Sequence, residues 1–111
     1  MKLQVLLSAM FLDNEQYIDS LNITSDAVVI NQCDTKSQAD IERTNIAGKR
    51  QYVKYIESTE RGLSKSRNLA IESATGDICI LCDNDVEYLK DYESRIMDAF
   101  EKHPEADLIV F

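Results

Sequence analysis

Short apolar runs alternate with amphipathic segments along this chain. Leu3–Ala9, Ala27–Ile30 and Ile78–Cys82 are largely apolar, which is typical of strands buried on both faces of a parallel sheet. Gln51–Ile56 alternates between polar and apolar positions, so it predicts a strand nearer an edge of the sheet. Leu108–Phe111 begins a further predicted strand.

Three segments between these strands carry apolar residues at helical spacing. They are Asn14–Ile23, Leu63–Ala74 and Leu89–Lys102, and each predicts an amphipathic helix. Thr75-Gly76 ends the second helix, and His103-Pro104 ends the third.

The second helix has a predicted sheet-facing stripe made of Leu63, Ala70, Ile71 and Ala74. Residues 35–49 are polar and show no period, so we interpret them as a loop with one helical turn. Alternation of strands and helices predicts an α/β fold, Rossmann-like, with a mainly parallel sheet flanked by helices. The length fits one domain over residues 1–111.

The charge balance narrows the classes of partner. The chain has 20 acidic and 12 basic residues and a net charge of −8, which disfavours binding to nucleic acid or anionic membranes. No segment approaches the ~18 apolar residues of a membrane span, so we expect no membrane association from this segment. The odd count of 3 cysteines predicts reduced thiols and a cytoplasmic location. We interpret Cys79 and Cys82, which lie on one predicted strand, as buried and inert thiols.

Acidic residues follow two of the predicted strands. Asp83 and Asp85 come directly after the fourth predicted strand, and Asp34 follows the second. Ligands of open α/β sheets bind at the carboxyl ends of the strands. Paired carboxylates offer oxygen ligands to Mg²⁺ or Mn²⁺, which takes its remaining ligands from water and phosphates. The alternative is a solvated turn whose acids favour the start of the next helix.

Residues 60–86, ERGLSKSRNLAIESATGDICILCDNDV, carry a longer pattern. The pattern resembles that of family-two glycosyltransferases with the GT-A fold. Its elements, in order, are Gly62, Arg67-Asn68, Ala74, Gly76, an apolar strand and Asp83-Asn84-Asp85. The resemblance extends to the first strand and to the acid after the second strand. It implies the nucleotide-diphospho-sugar-binding half of such an enzyme.

The resemblance also implies roles for individual residues. In the donor nucleotide site, the backbone of Ala9 contacts the nucleoside, Asp34 reads the base and Arg67 lines the pocket. Asp83 meets the ribose or sugar. Asp85, together with Asp83, holds the Mn²⁺ or Mg²⁺ ion.

The implied reaction is inverting, metal-dependent transfer of a sugar from a nucleotide-diphosphate sugar to a hydroxyl of a saccharide or lipid-linked acceptor. The family's general base lies downstream of the fifth predicted strand, so we expect this chain to be the N-terminal, donor-binding part of a longer enzyme. Glu87 and Glu93 are spare carboxylates to which we assign no catalytic role.

Two alternatives remain at the level of the sequence. One is a receiver-like α/β signalling domain phosphorylated on an Asp, although Ser8-Ala9 stands where such a domain needs acids. The other is a non-catalytic nucleotide-binding fragment.

Overall fold

The computed structural model describes residues 2–12, 17–83 and 92–103. The elements within these ranges are β1 (Leu3–Met10), α1 (Tyr17–Ser20), β2 (Asp26–Gln32), β3 (Ser37–Thr44), β4 (Arg50–Ser58), α2 (Leu63–Ser73), β5 (Ile78–Asp83) and α3 (Tyr92–Lys102). The predicted strand at Leu108–Phe111 lies outside the described residues, as do the predicted starts of the first and third helices.

One mainly parallel sheet holds all the described strands, in the order β3-β4-β2-β1-β5. β1 pairs in parallel with β2 and β5, and β2 pairs in parallel with β4. β3 alone among the described strands runs antiparallel, along the outer side of β4. This arrangement confirms the predicted α/β class.

Hydrophobic cores cover the two faces of the central strands. On one face, Val5 and Leu7 of β1 pack in the same cluster as Tyr92 and Ile96 of α3. On the other face, Leu6 of β1 packs in a cluster with Ala70 of α2. Burial on both faces explains why β1 and β2 are apolar runs rather than alternating strands.

Helix α2 turns a different stripe to the sheet from the predicted one. Its buried residues are Ser66 and Ala70, with Leu69 and Ala74 packed against the core. Leu63 and Ile71 are about half exposed, so placing them on the sheet-facing stripe was wrong. The two buried side chains, Ser66 and Ala70, are small and weakly hydrophobic, so the sequence identifies the buried face poorly.

The interpretation of residues 35–49 as a loop was wrong, since Ser37–Thr44 form β3. This strand is exposed along most of its length, so no buried face imposes a hydrophobic period on it. Pairing with β4 from Ser37↔Glu57 to Thr44↔Arg50 holds it in place. Charged side chains on such an edge oppose pairing with a further chain.

Strand β5 is buried on one face only. Ile78 and Cys82 belong to the core, whereas Leu81 is 52% exposed and Cys79 is exposed on the opposite face. The prediction of buried thiols at Cys79 and Cys82 therefore holds for Cys82 and is wrong for Cys79. All three cysteines are free.

Gly76 lies where the chain passes closest to β1. A Cβ atom at this position would stand 2.7 Å from the Cβ of Gln4. The Gln4 side-chain oxygen accepts hydrogen bonds from the backbone N–H groups of Thr75 (2.8 Å) and Gly76 (3.1 Å). These bonds draw the entry to β5 against β1, and only glycine fits this approach.

We predict that Gly76→Ala lowers the free energy of unfolding by about 1–3 kcal/mol, because the added methyl group overpacks a backbone contact. Chemical denaturation measures the change. Thr75→Ala is the matched control, since it removes an exposed hydroxyl from the same turn, and we expect it to cost less than about 0.5 kcal/mol. Equal stabilities of Gly76→Ala and the wild type would contradict the steric role.

Candidate functional site

The carboxyl ends of the four parallel strands and the start of α2 lie along one edge of the sheet. The chain leaves β1 for β2 through α1, which packs on one face, and passes from β4 to β5 through α2 on the other. The two connections run in opposite directions along the sheet, so the strand order reverses between β1 and β5. Open α/β sheets bind ligands at this kind of reversal.

Two predicted site residues flank the end of β1. Asp34 follows β2, and Asp83 ends β5 opposite Ser8 of β1. Because β2 and β5 are the two neighbours of β1, their ends lie two strand spacings apart, about 10 Å. The side chain of Asp83 and the whole of Asp85 lie outside the described residues.

The other two predicted residues lie on α2 and on β1. Arg67 is on α2 and half-buried. Ala9 is buried in β1, opposite Asn31 of β2. Asn31 accepts a hydrogen bond from the backbone N–H of Leu12 at 3.0 Å and so holds the segment after β1.

Arg61 joins Asp34 and Phe11 in an edge cluster. Its Nη2 donates to the Oδ1 atom of Asp34 at 3.1 Å. Its guanidinium carbon lies 5.2 Å from the centroid of the Phe11 ring, a distance typical of a cation–π contact. The Asp34 side chain is 86% exposed, so an incoming ligand can reach it.

Arg61 also binds the backbone of two segments. Its Nη1 donates to the carbonyl oxygen of Cys33 at 2.8 Å and to that of Thr59 at 3.1 Å. A longer bond of 3.3 Å reaches the carbonyl oxygen of Glu60. One guanidinium therefore connects the chain after β2 with the chain after β4.

Phe11 has an uncommon backbone conformation, with φ at 50°. A residue other than glycine rarely adopts this left-handed region, and such strain is concentrated at functional sites. Its N–H donates to the carbonyl oxygen of Gln32 at 2.9 Å, which holds the turn. Phe11 is 54% exposed, and its ring contacts Arg61.

Gly62 sets the start of α2. Its φ of 116° lies in a region that favours glycine. The side chain of Gln32, at the end of β2, donates to its carbonyl oxygen at 3.0 Å. The first glycine of the sequence pattern thus allows the turn that brings α2 against the end of β2.

Hydroxyl groups organise the segment that follows Asp34. Ser37 and Thr35 donate to the carboxylate of Glu57 on β4, the bond from Thr35 measuring 3.0 Å. These bonds, with a weaker one from the Cys33 thiol, hold the pKa of Glu57 below its ordinary value.

Sequence reasoning missed Arg61, Phe11 and Gln32. The available signals were a basic residue directly before Gly62 and an aromatic residue directly after the first apolar run. Neither signal shows that the two side chains meet.

Glu93 lies away from this edge. Its carboxylate accepts a hydrogen bond from the hydroxyl of Thr24, which precedes β2 at the amino-terminal end of the sheet. Among residues 2–12, 17–83 and 92–103, no three His, Cys, Asp or Glu side chains form a metal-binding group, and no helix is long and apolar enough to cross a membrane.

A comparison with known protein families identifies the family of this chain. The model of glycosyl transferase family 2 matches residues 20–111, most of the chain. The chain therefore belongs to glycosyl transferase family 2, as the resemblance predicted, and the receiver-like alternative is wrong. Neither the curated proteins nor the solved structures give a match.

We predict that Glu57→Gln destabilises the protein at neutral pH, because an amide accepts weaker hydrogen bonds than a carboxylate. A lowered folded-state pKa contributes stability above the ordinary value of 4.5 and loses it as the pH falls through the folded-state value. The difference in unfolding free energy between wild type and variant should therefore shrink below pH 4.5.

Denaturant titrations across this pH range measure that difference. Glu101→Gln, which changes an exposed carboxylate on α3, is the matched control. A difference for Glu57→Gln that stays constant from neutral to acid pH would contradict the assignment.

Proposed function

We propose that this edge binds the nucleotide-diphosphate sugar donor of an inverting, metal-dependent glycosyltransferase. The observation that carries the proposal is the placement of Asp34 and Asp83 at the ends of the two strands beside β1, in a domain of glycosyl transferase family 2. The donor would lie across the end of β1, with its nucleoside toward β2 and its diphosphate toward β5. Its sugar would pass to a hydroxyl of a saccharide or lipid-linked acceptor.

Each side chain has a proposed part in holding the donor. The exposed carboxylate of Asp34 accepts an N–H of the base, and the backbone near Ala9 contacts the nucleoside. Arg67 supplies positive charge to the nucleotide pocket. Such charge is needed because the protein carries a net charge of −8 and the donor is an anion.

Asp83 and Asp85 are the proposed holders of Mn²⁺ or Mg²⁺. Their carboxylate oxygens suit a hard cation that shares its coordination with phosphate oxygens. Bound there, the metal would act as a Lewis acid that stabilises the departing diphosphate. A cation also reduces the repulsion between these carboxylates and the diphosphate.

Removal of the acceptor proton requires a general base. Glu93 does not fit this role, because its carboxylate accepts a hydrogen bond from the hydroxyl of Thr24 at the opposite, amino-terminal end of the sheet. We therefore keep the base unassigned in this chain.

We predict that a nucleoside diphosphate together with Mn²⁺ stabilises the fold. At ~100 times its dissociation constant, a ligand that binds only the folded state adds about 2.7 kcal/mol. Thermal unfolding with uridine, guanosine, thymidine and cytidine diphosphates measures the effect, and chelation of the metal should remove most of it. An unchanged melting temperature with all four diphosphates and Mn²⁺ would refute the proposed site.

We further predict that Asp85→Asn and Asp34→Asn have different effects. Asp85→Asn should abolish the dependence of nucleotide binding on Mn²⁺, because it removes a charged ligand at nearly constant shape. Asp34→Asn should weaken binding or alter the preference among bases while the response to Mn²⁺ persists. Calorimetric titrations separate the two results.

Asp40→Asn, on the exposed strand β3, is the matched control and should leave both properties unchanged. Identical losses of the metal response in Asp34→Asn and Asp85→Asn would contradict the division of roles.

A further inference from the structure

We infer that Arg61 is a positioning residue for nucleoside recognition, which it serves by holding Asp34 and the neighbouring backbone in a binding-competent arrangement. This inference rests on the proposed function and adds to it a residue outside the predicted site. Its basis is the set of contacts that Arg61 makes at the carboxyl edge of the sheet.

Arg61 connects the three segments that surround the nucleoside end. It lies over the ring of Phe11, which follows β1. After β2, it donates hydrogen bonds to the carbonyl oxygen of Cys33 and to the carboxylate of Asp34. It also binds the carbonyl oxygen of Thr59 after β4. The side chain is 41% exposed, so these contacts hold it partly buried at the edge.

Global stability is a poor explanation for the ion pair within this cluster. The Asp34 side chain is 86% exposed, and ion pairs at such exposure contribute little to stability. An exposed carboxylate on a connecting segment can otherwise rotate freely. Fixing it before the ligand arrives lowers the entropy lost on binding, and this is the benefit that we assign to Arg61.

The contacts also distinguish positioning from direct binding of the diphosphate. Nη1 already donates to the carbonyl oxygens of Cys33 and Thr59, and Nη2 donates to Asp34. Arg61 therefore acts through Asp34 and the backbone rather than on phosphate oxygens. The arrangement requires a planar fork of donors and a flat cation over an aromatic ring, and lysine supplies neither.

Two ligands test the nucleoside end and the diphosphate end of the site independently. One is whichever of uridine, guanosine, thymidine and cytidine diphosphate the wild type binds most tightly, and the other is inorganic pyrophosphate, each with Mn²⁺. We expect Arg61→Ala to weaken binding of the nucleoside diphosphate about three- to tenfold, because Asp34 must then be ordered when the ligand binds. Binding of pyrophosphate should stay unchanged.

Three further variants sharpen the test. Arg61→Lys keeps the charge beside Asp34 without the fork, and it should bind the nucleoside diphosphate as weakly as Arg61→Ala. Arg61→Gln replaces Arg61→Ala in the comparison if the alanine variant does not fold, as judged by thermal unfolding. Arg50→Ala is the matched control, because Arg50 forms an exposed ion pair with Glu42 at the amino-terminal end of β4, and it should bind both ligands as the wild type does.

Each outcome decides between explanations. If the wild type binds no nucleoside diphosphate, the proposed function fails and the inference fails with it. If the wild type binds and Arg61→Ala binds equally well, only the inference is wrong. Equal weakening of the binding of both ligands would also overturn the inference, because it indicates a general effect on the site. Full recovery of nucleoside diphosphate binding in Arg61→Lys would overturn it too, because it indicates a role for charge alone.

Discussion

The parallel pairing of β1 with β2 on one side and β5 on the other is the constraint on which the site depends. Its register places Ser8 opposite Asp83 and Met10 opposite Gln32. Two chain segments distant in sequence therefore end at one edge, separated only by the end of β1. The buried apolar side chains on both faces of β1 maintain this pairing.

In a protein with a net charge of −8, the placement of the positive charges decides where an anion could bind. Arg61 lies beside Asp34 at the carboxyl edge of the sheet, and Arg67 is on the helix that follows. Glu57 is satisfied instead by the hydroxyls of Thr35 and Ser37, so it draws no cation away from the edge. Local hydrogen bonding thus satisfies Glu57, while Arg61 at the edge pairs with Asp34.

Sequence reasoning succeeded where burial leaves a pattern in the residues. β1 and β2 were predictable because both faces are covered, and the location of Asp34 followed from the geometry of parallel strands. β3 was not predictable in this way, because backbone pairing with β4 holds an exposed strand and imposes no hydrophobic period. The exposure of one face of β5 was not predictable for the opposite reason, because Leu81 is apolar and nevertheless exposed.

The edge cluster shows a different limit. Arg61, Asp34 and Phe11 come from three connections, and nothing local to any of them reveals that they meet. The glycines of the same pattern, in contrast, have local geometric causes: Gly62 adopts a positive φ, and Gly76 passes too close to Gln4 for a side chain. Part of the pattern shared with the family therefore encodes backbone geometry, whereas Arg61 and Phe11, which meet at the edge, lie outside its positions.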